Sequence, residues 1–322
     1  MIANHRVASL LVQLALTAAV CAFLLARVDF GLVLENLKNF RPLDYPVVLA
    51  LFAGQCLVGA FRLKIILRYI NSDCSFSATL KAILISAFFA QTPLSAVGGD
   101  AVKIWVLYKH NVKTGDAAIS VALDRALGAL ALLLIIVVAL PPLWQMIQSP
   151  SLRLGFIAVL VLGVFLGAAL MLLTLIPEVF RRFRIIAWVQ RLAHQFVRIL
   201  SSPSMSFSLF GLSLATQSFS LLMILFIAHA IGVPASSWDI LILAPFPLLA
   251  STLPISFGGW GPREGVMIVA LGIVGVPPSQ GLAVSVSYGI ALMVGSLPGG
   301  LVWLLDRNSK LIRNDEIAPG SN

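Results

Sequence analysis

Long apolar runs separated by short polar joints fill the chain from residue 8 to residue 305. Six of them, 8–26, 43–61, 117–140, 152–176, 207–231 and 281–305, reach the roughly 20 residues that carry a helix across a bilayer. Prolines punctuate the runs: Pro141-Pro142 and Pro177 read as ends, and Pro298-Gly299-Gly300 as a break inside the last run. The stretches 29–41 and 178–202 mix charges with apolar residues, as helices lying on a membrane surface do. In the second, Arg181, Arg182, Arg184, Arg191 and Arg198 alternate with Phe180, Phe183, Trp188 and Phe196.

Two regions fit neither pattern. In 77–108 an apolar arm, 80–92, meets Pro93, then Gly98-Gly99-Asp100, then a second arm, 101–108. That second arm covers about 12 Å at helical rise, short of the ~30 Å hydrocarbon core. In 240–276 an arm at 240–253 runs into Pro254-Ile255-Ser256-Phe257-Gly258-Gly259-Trp260-Gly261-Pro262-Arg263-Glu264, and 266–276 returns to Pro277-Pro278. Broken backbone at membrane depth is tolerated only when buried in protein or lining a cavity. Both regions therefore read as re-entrant hairpins.

Composition fixes the solvent. Of 322 residues, 59% are hydrophobic and 11% charged, about half the charge of a soluble domain. The expectation is one all-α, polytopic integral membrane domain over residues 1–322, with six full spans, two hairpins and a polar tail at 306–322. The net charge of +9 reads as Lys and Arg facing anionic lipid on the cytoplasmic side rather than nucleic acid. With six crossings most basic residues fall on one side, which predicts cytoplasmic termini in a cell (inner) membrane. Cys21, Cys56 and Cys74 and the four scattered histidines have no metal or redox spacing, so no cofactor is expected. A phosphate-cradling nucleotide loop is also missing from the sequence.

Three spans separate the hairpins, so they enter from opposite sides. Their breaks align: Pro93-x-Ser95 with Pro254-x-Ser256, Gly98-Gly99 with Gly258-Gly259, and Lys103 with Arg263. Paired breaks in oppositely oriented halves are the sequence sign of an inverted-repeat transporter, with its site where the breaks meet. The topology leaves Asp100, Lys103, Asp124, Arg125, Arg263 and Glu264 in or near the membrane. Each would cost about 2.5–3.5 kcal/mol alone at mid-depth, so they must pair or face water. Lys103 and Arg263 lie close to new helix starts, a setting that suits phosphate. Arg263, able to bind bidentately, is the first candidate, with Lys103 its counterpart. Ser95 and Ser256, from the aligned breaks, and Trp260 join the set. Other roles fit as well: Arg263-Glu264 as a structural pair, Asp124-Arg125 as a salt bridge near the membrane edge, Arg62 as a positive-inside anchor, and Asp100 as an N-cap.

Arg62, Gly98-Gly99-Asp100 with Lys103, Asp124-Arg125-x-x-Gly128, and Gly258-Gly259-Trp260-Gly261-x-Arg263-Glu264 together resemble the lysylphosphatidylglycerol synthase transmembrane-region, or flippase-like, family. The likeness covers roughly residues 8–306, with Lys103 where the family pattern has arginine. In the family's namesake this region is joined to a soluble aminoacyl-transfer domain and moves the modified lipid between leaflets. No polar block of that kind appears here. The resemblance therefore implies translocation of a phosphate-bearing lipid, aminoacylated, glycosylated or isoprenoid-linked, by a transporter rather than an enzyme. Expected partners are a membrane phospholipid or lipid-linked sugar, anionic lipids at the cytoplasmic surface, and a glycosyltransferase, since relatives occur beside such systems. The alternatives are a membrane-embedded glycosyl- or lipid-transferase, or a scaffold for a glycosyltransferase.

Overall fold

The computed structural model describes residues 44–91, 95–175, 184–252 and 260–315. The predicted span 8–26, the surface stretch 29–41, the segment 254–259 with Ser256, and the end of the tail lie outside the described residues. The described chain forms helices α1 Asp44–Tyr69, α2 Phe76–Ala90, α3 Ser95–Lys109, α4 Thr114–Met146, α5 Pro150–Leu172, α6 Arg184–Leu200, α7 Pro203–Ile231, α8 Ser237–Leu243, α9 Pro245–Thr252, α10 Pro262–Gly272 and α11 Pro278–Asp315. Five are long and apolar enough to cross a membrane: α1, α4, α5 with its 3-10 extension, α7, and α11 to Leu305. Large apolar side chains face outward along them, Val138, Phe165, Phe207 and Leu305 among them. The protein is an all-helical, polytopic membrane protein.

The centre of the bundle is built from α1, α7 and α11, through Val48, Phe52, Met223, Ile227, Ala283 and Tyr288. Helices α2 and α3 pack as a pair, with α2 also against α1 and α11; α8, α9 and α10 pack near α4, and α10 lies along α11. Apolar burial does not drive helices together within lipid, so close approach does. A Cβ on Gly299 of α11 would lie 2.0 Å from the Leu84 carbonyl oxygen, and one on Gly99 of α3 would lie 2.9 Å from the Ser86 carbonyl oxygen. Both glycines seat α2.

These contacts correct several expectations. Gly98-Gly99-Asp100 is not a break: α3 starts at Ser95, and Gly99 lies on its packing face. Asp100 thus lies inside the helix and is not an N-cap. Both α2 and α3 have 15 residues, roughly 22 Å each, still short of a ~30 Å core. Helix α4 runs through Pro141 and Pro142 to Met146, and α11 runs through Pro298 to Asp315. Spanning helices absorb such prolines where neighbours restore the lost contacts. Helix α4 begins at Thr114, so Asp124 lies about 15 Å along it, in its first half. The arm at 240–253 divides at Ala244, where Pro245 has no N–H with which to continue α8. The return arm starts early, with Pro262 in the first turn of α10.

The basic helix α6 is docked on the bundle. Ala193, Phe196 and Ile199 are buried, the last two against Ile66, Leu127 and Leu209. Arg191 and Arg198 face outward: Arg191 lies 3.8 Å from Asp116, and Arg198 stacks 5.1 Å from the Tyr69 ring.

Candidate functional site

Two groups of charged side chains lie within the helices, and they differ in balance. The first draws on α1, α3, α4 and α7. Arg62 follows the apolar part of α1 and turns into the bundle, where its Nε donates to Asp124 Oδ1 at 2.7 Å. Its Nη1 donates to Ser213 Oγ and Thr216 Oγ1, each at 3.1 Å. Lys103 Nζ reaches Asp124 Oδ2 at 3.5 Å and lies 4.0 Å from Asp100. Arg125 grips both Asp100 oxygens, at 3.0 to 3.2 Å. Arg62, Lys103 and Asp124 are buried, whereas the Arg125 side chain is 46% exposed. Three cations thus face two carboxylates, leaving one positive charge in excess. Beside them Gln217 Nε2 donates to the Gly128 carbonyl at 2.9 Å, fixing α7 to α4.

The second group is neutral and closed. In α10, Arg263 donates to Glu264 Oε1 from Nη2 at 2.7 Å and from Nε at 3.1 Å. Ser285 Oγ of α11 accepts from Arg263 Nε and donates to Glu264 Oε1, both at 3.1 Å. The other Glu264 oxygen accepts the Gly261 N–H, capping the helix start. Gly261 has φ 97, a conformation that glycine adopts without a Cβ penalty. The guanidinium lies between the rings of Trp260 and Tyr288, 5.0 and 5.5 Å from their centroids. Arg263 is 1% exposed. Gly289 leaves it room, since a Cβ there would sit 2.5 Å from Arg263 Nη2.

Of the sequence candidates, Arg62, Asp100, Lys103, Asp124 and Arg125 come together, and Arg263, Glu264 and Trp260 form the separate group. Ser95 begins α3, and Ser256 lies outside the described residues. The sequence reading missed Ser213, Thr216, Gln217, Ser285, Tyr288 and Gly289. Ser213, Thr216 and Ser220 recur at three- and four-residue steps in α7 and are buried, so they form a polar stripe facing the bundle. That periodicity was the available signal. The stripe meets Arg62 at one end, and at the other Ser220 lies beside the Tyr288 hydroxyl.

The family description "Lysylphosphatidylglycerol synthase TM region" matches residues 10–299. The chain belongs to this family. The match takes in both charged groups, α1, α4, α5 and α7 whole and α11 as far as Gly299, so membership ties the bundle to membrane-lipid function. Comparison with curated proteins gives no match.

Proposed function

We propose that this member of the lysylphosphatidylglycerol synthase TM region family is a lipid translocase of the cell membrane that engages a lipid phosphate through the Arg62–Lys103–Arg125 group. The observation that carries the reading is the positive excess of that group, buried at the junction of four helices and reaching an exposed arginine. A phosphate entering beside Arg125 competes with Asp100 for the guanidinium and then meets Lys103. Asp124 holds Arg62 and Lys103 close together, which keeps their like charges at tolerable cost before the anion arrives. Arg263 and Glu264, with their charges matched and exposure nearly nil, serve the framework of the second hairpin in this reading.

The two hairpins enter from opposite faces as inverted repeats, both termini are cytoplasmic, and the tails remain in lipid while the headgroup crosses. The outward arginines of α6 contact anionic lipid. Movement is downhill or coupled to an ion gradient.

Reconstituted protein tests this with a labelled phospholipid or lipid-linked sugar. Wild type should move the label between leaflets without changing its mass, and Lys103→Gln should slow movement about tenfold. Unslowed movement in that variant would sink the site assignment. A new product mass would instead identify a membrane-embedded transferase. No movement and no product would favour a scaffold for a glycosyltransferase.

A further inference from the structure

Close packing leaves few voids larger than a water molecule inside a protein, yet a groove of about 670 Å³ lies between α4, α5, α9 and α10. Ala126, Ala129, Leu133, Phe156, Leu249 and Val266 are among its almost wholly apolar walls. Its volume falls within the roughly 300–1,000 Å³ of small-molecule sites. Along α5 it extends from Leu152 to Gly167, about 22 Å at helical rise. That exceeds half of the ~30 Å hydrocarbon core, so an occupant is not confined to one leaflet.

One end of the groove is tied to charge. Ala126 follows Arg125 directly, and Ala129 lies one turn further along α4. Arg125 is also the exposed member of the cationic group. On the opposite wall, Gly265 and Val266 follow Glu264 in α10. Glycines in a helix interior cost about 1 kcal/mol against alanine. Gly299 and Gly99 meet another backbone, but a Cβ on Gly155, Gly167 or Gly265 would meet nothing within 4 Å. These three widen the groove without serving a protein contact.

We infer that the groove holds one hydrocarbon chain of a phospholipid whose phosphate meets Arg125. An anionic head and an alkyl tail are the two chemistries that suit exposed Arg125 and the apolar walls that begin at the next residue, Ala126. The inference rests on the translocase reading for the role of the headgroup group, but concerns binding of the tail, which is measured separately.

The test uses purified full-length protein in phosphatidylethanolamine vesicles containing phosphatidylglycerol with a photoreactive diazirine near the end of one acyl chain. Cross-linked peptides are mapped by mass spectrometry. Label should concentrate on 126–133, on Leu152, Gly155, Phe156, Gly163 and Gly167 of α5, and on 249–252 and 265–269, in preference to the outward-facing Val161, Val164 and Phe165 of α5. Gly167→Trp and Gly265→Trp should each cut groove labelling about tenfold while their thermal unfolding stays close to wild type. Arg125→Gln should lower labelling by phosphatidylglycerol and spare that by a diacylglycerol with the same chain, which has no phosphate. Even labelling of groove and outer face, or labelling unchanged in both tryptophan variants, would overturn the inference. If wild type labels in the groove yet moves no lipid, the translocase reading fails and the groove stands; if it moves lipid while labelling evenly, only the groove fails.

Discussion

Arg62 and Arg263 are both arginines clasped by a carboxylate, and only their surroundings separate them. Glu264 and Ser285 balance Arg263 completely, so removing it strands a buried anion. Arg263→Ala should cost about 3–5 kcal/mol of stability, and Arg263→Met with Glu264→Gln should recover most of it. Thermal unfolding in detergent checks both; a double variant no more stable than the single one would argue against a structural pair. The sequence made Arg263 the leading phosphate contact because it identified a charge at a helix start. It also offered Arg263-Glu264 as a structural pair, and Glu264, folded back onto the guanidinium, fits that reading. Arg62 stood among the sequence candidates with a plain anchor as its rival role. A basic residue after a span looks like a cytoplasmic anchor until Ser213, Thr216 and Asp124 are seen around it. Cys74, in the joint between α1 and α2, offers a residue-level pH test. Burial pushes its thiol pKa upward, so little thiolate exists near neutrality. Maleimide labelling of Cys74 should be slow at pH 7 and accelerate toward pH 9; fast labelling at pH 7 would contradict the burial.

At the scale of elements, span positions were legible and helix ends were not. Apolar runs place α1, α4, α5, α7 and α11 because lipid demands about 20 such residues in a row. Glycine and proline were harder to interpret, since the same residues mark breaks and close contacts. Gly258-Gly259 lies outside the described residues, but Gly98-Gly99 and Gly299-Gly300 sit in continuous helices and face α2 in part through Gly99 and Gly299. Substitution separates the two uses. Gly299→Leu must displace the α2 backbone, because a Cβ already meets a carbonyl oxygen at 2.0 Å. It should destabilise by about 1–3 kcal/mol or more, whereas Gly155→Leu, which faces open space, should unfold within a degree or two of wild type. Equal behaviour of the two variants in a thermal scan would mean that the α2–α11 contact is looser than it is drawn.

At the scale of the molecule, what matters is the relation between the two hairpins. Each is made of helices too short to cross, and α4, α5 and α7 lie between them. In the proposed architecture, where each hairpin returns to its own side, an odd number of crossings between them gives opposite entry sides, whichever face holds the termini. Two complete crossings by each hairpin would leave the number between them unchanged. Opposite entry would fail if α5 did not span, and α5 is the outermost long helix, touching the rest mainly through α4 and α6. Single cysteines at Ser95 and Ser256 in a cysteine-free background therefore decide the architecture. An impermeant thiol reagent should reach the first only from the cytoplasmic side and the second only from the outside. Same-side labelling would remove one crossing, end the inverted-repeat reading, and leave the cationic group facing a single compartment. A lipid headgroup could then bind there without being carried across.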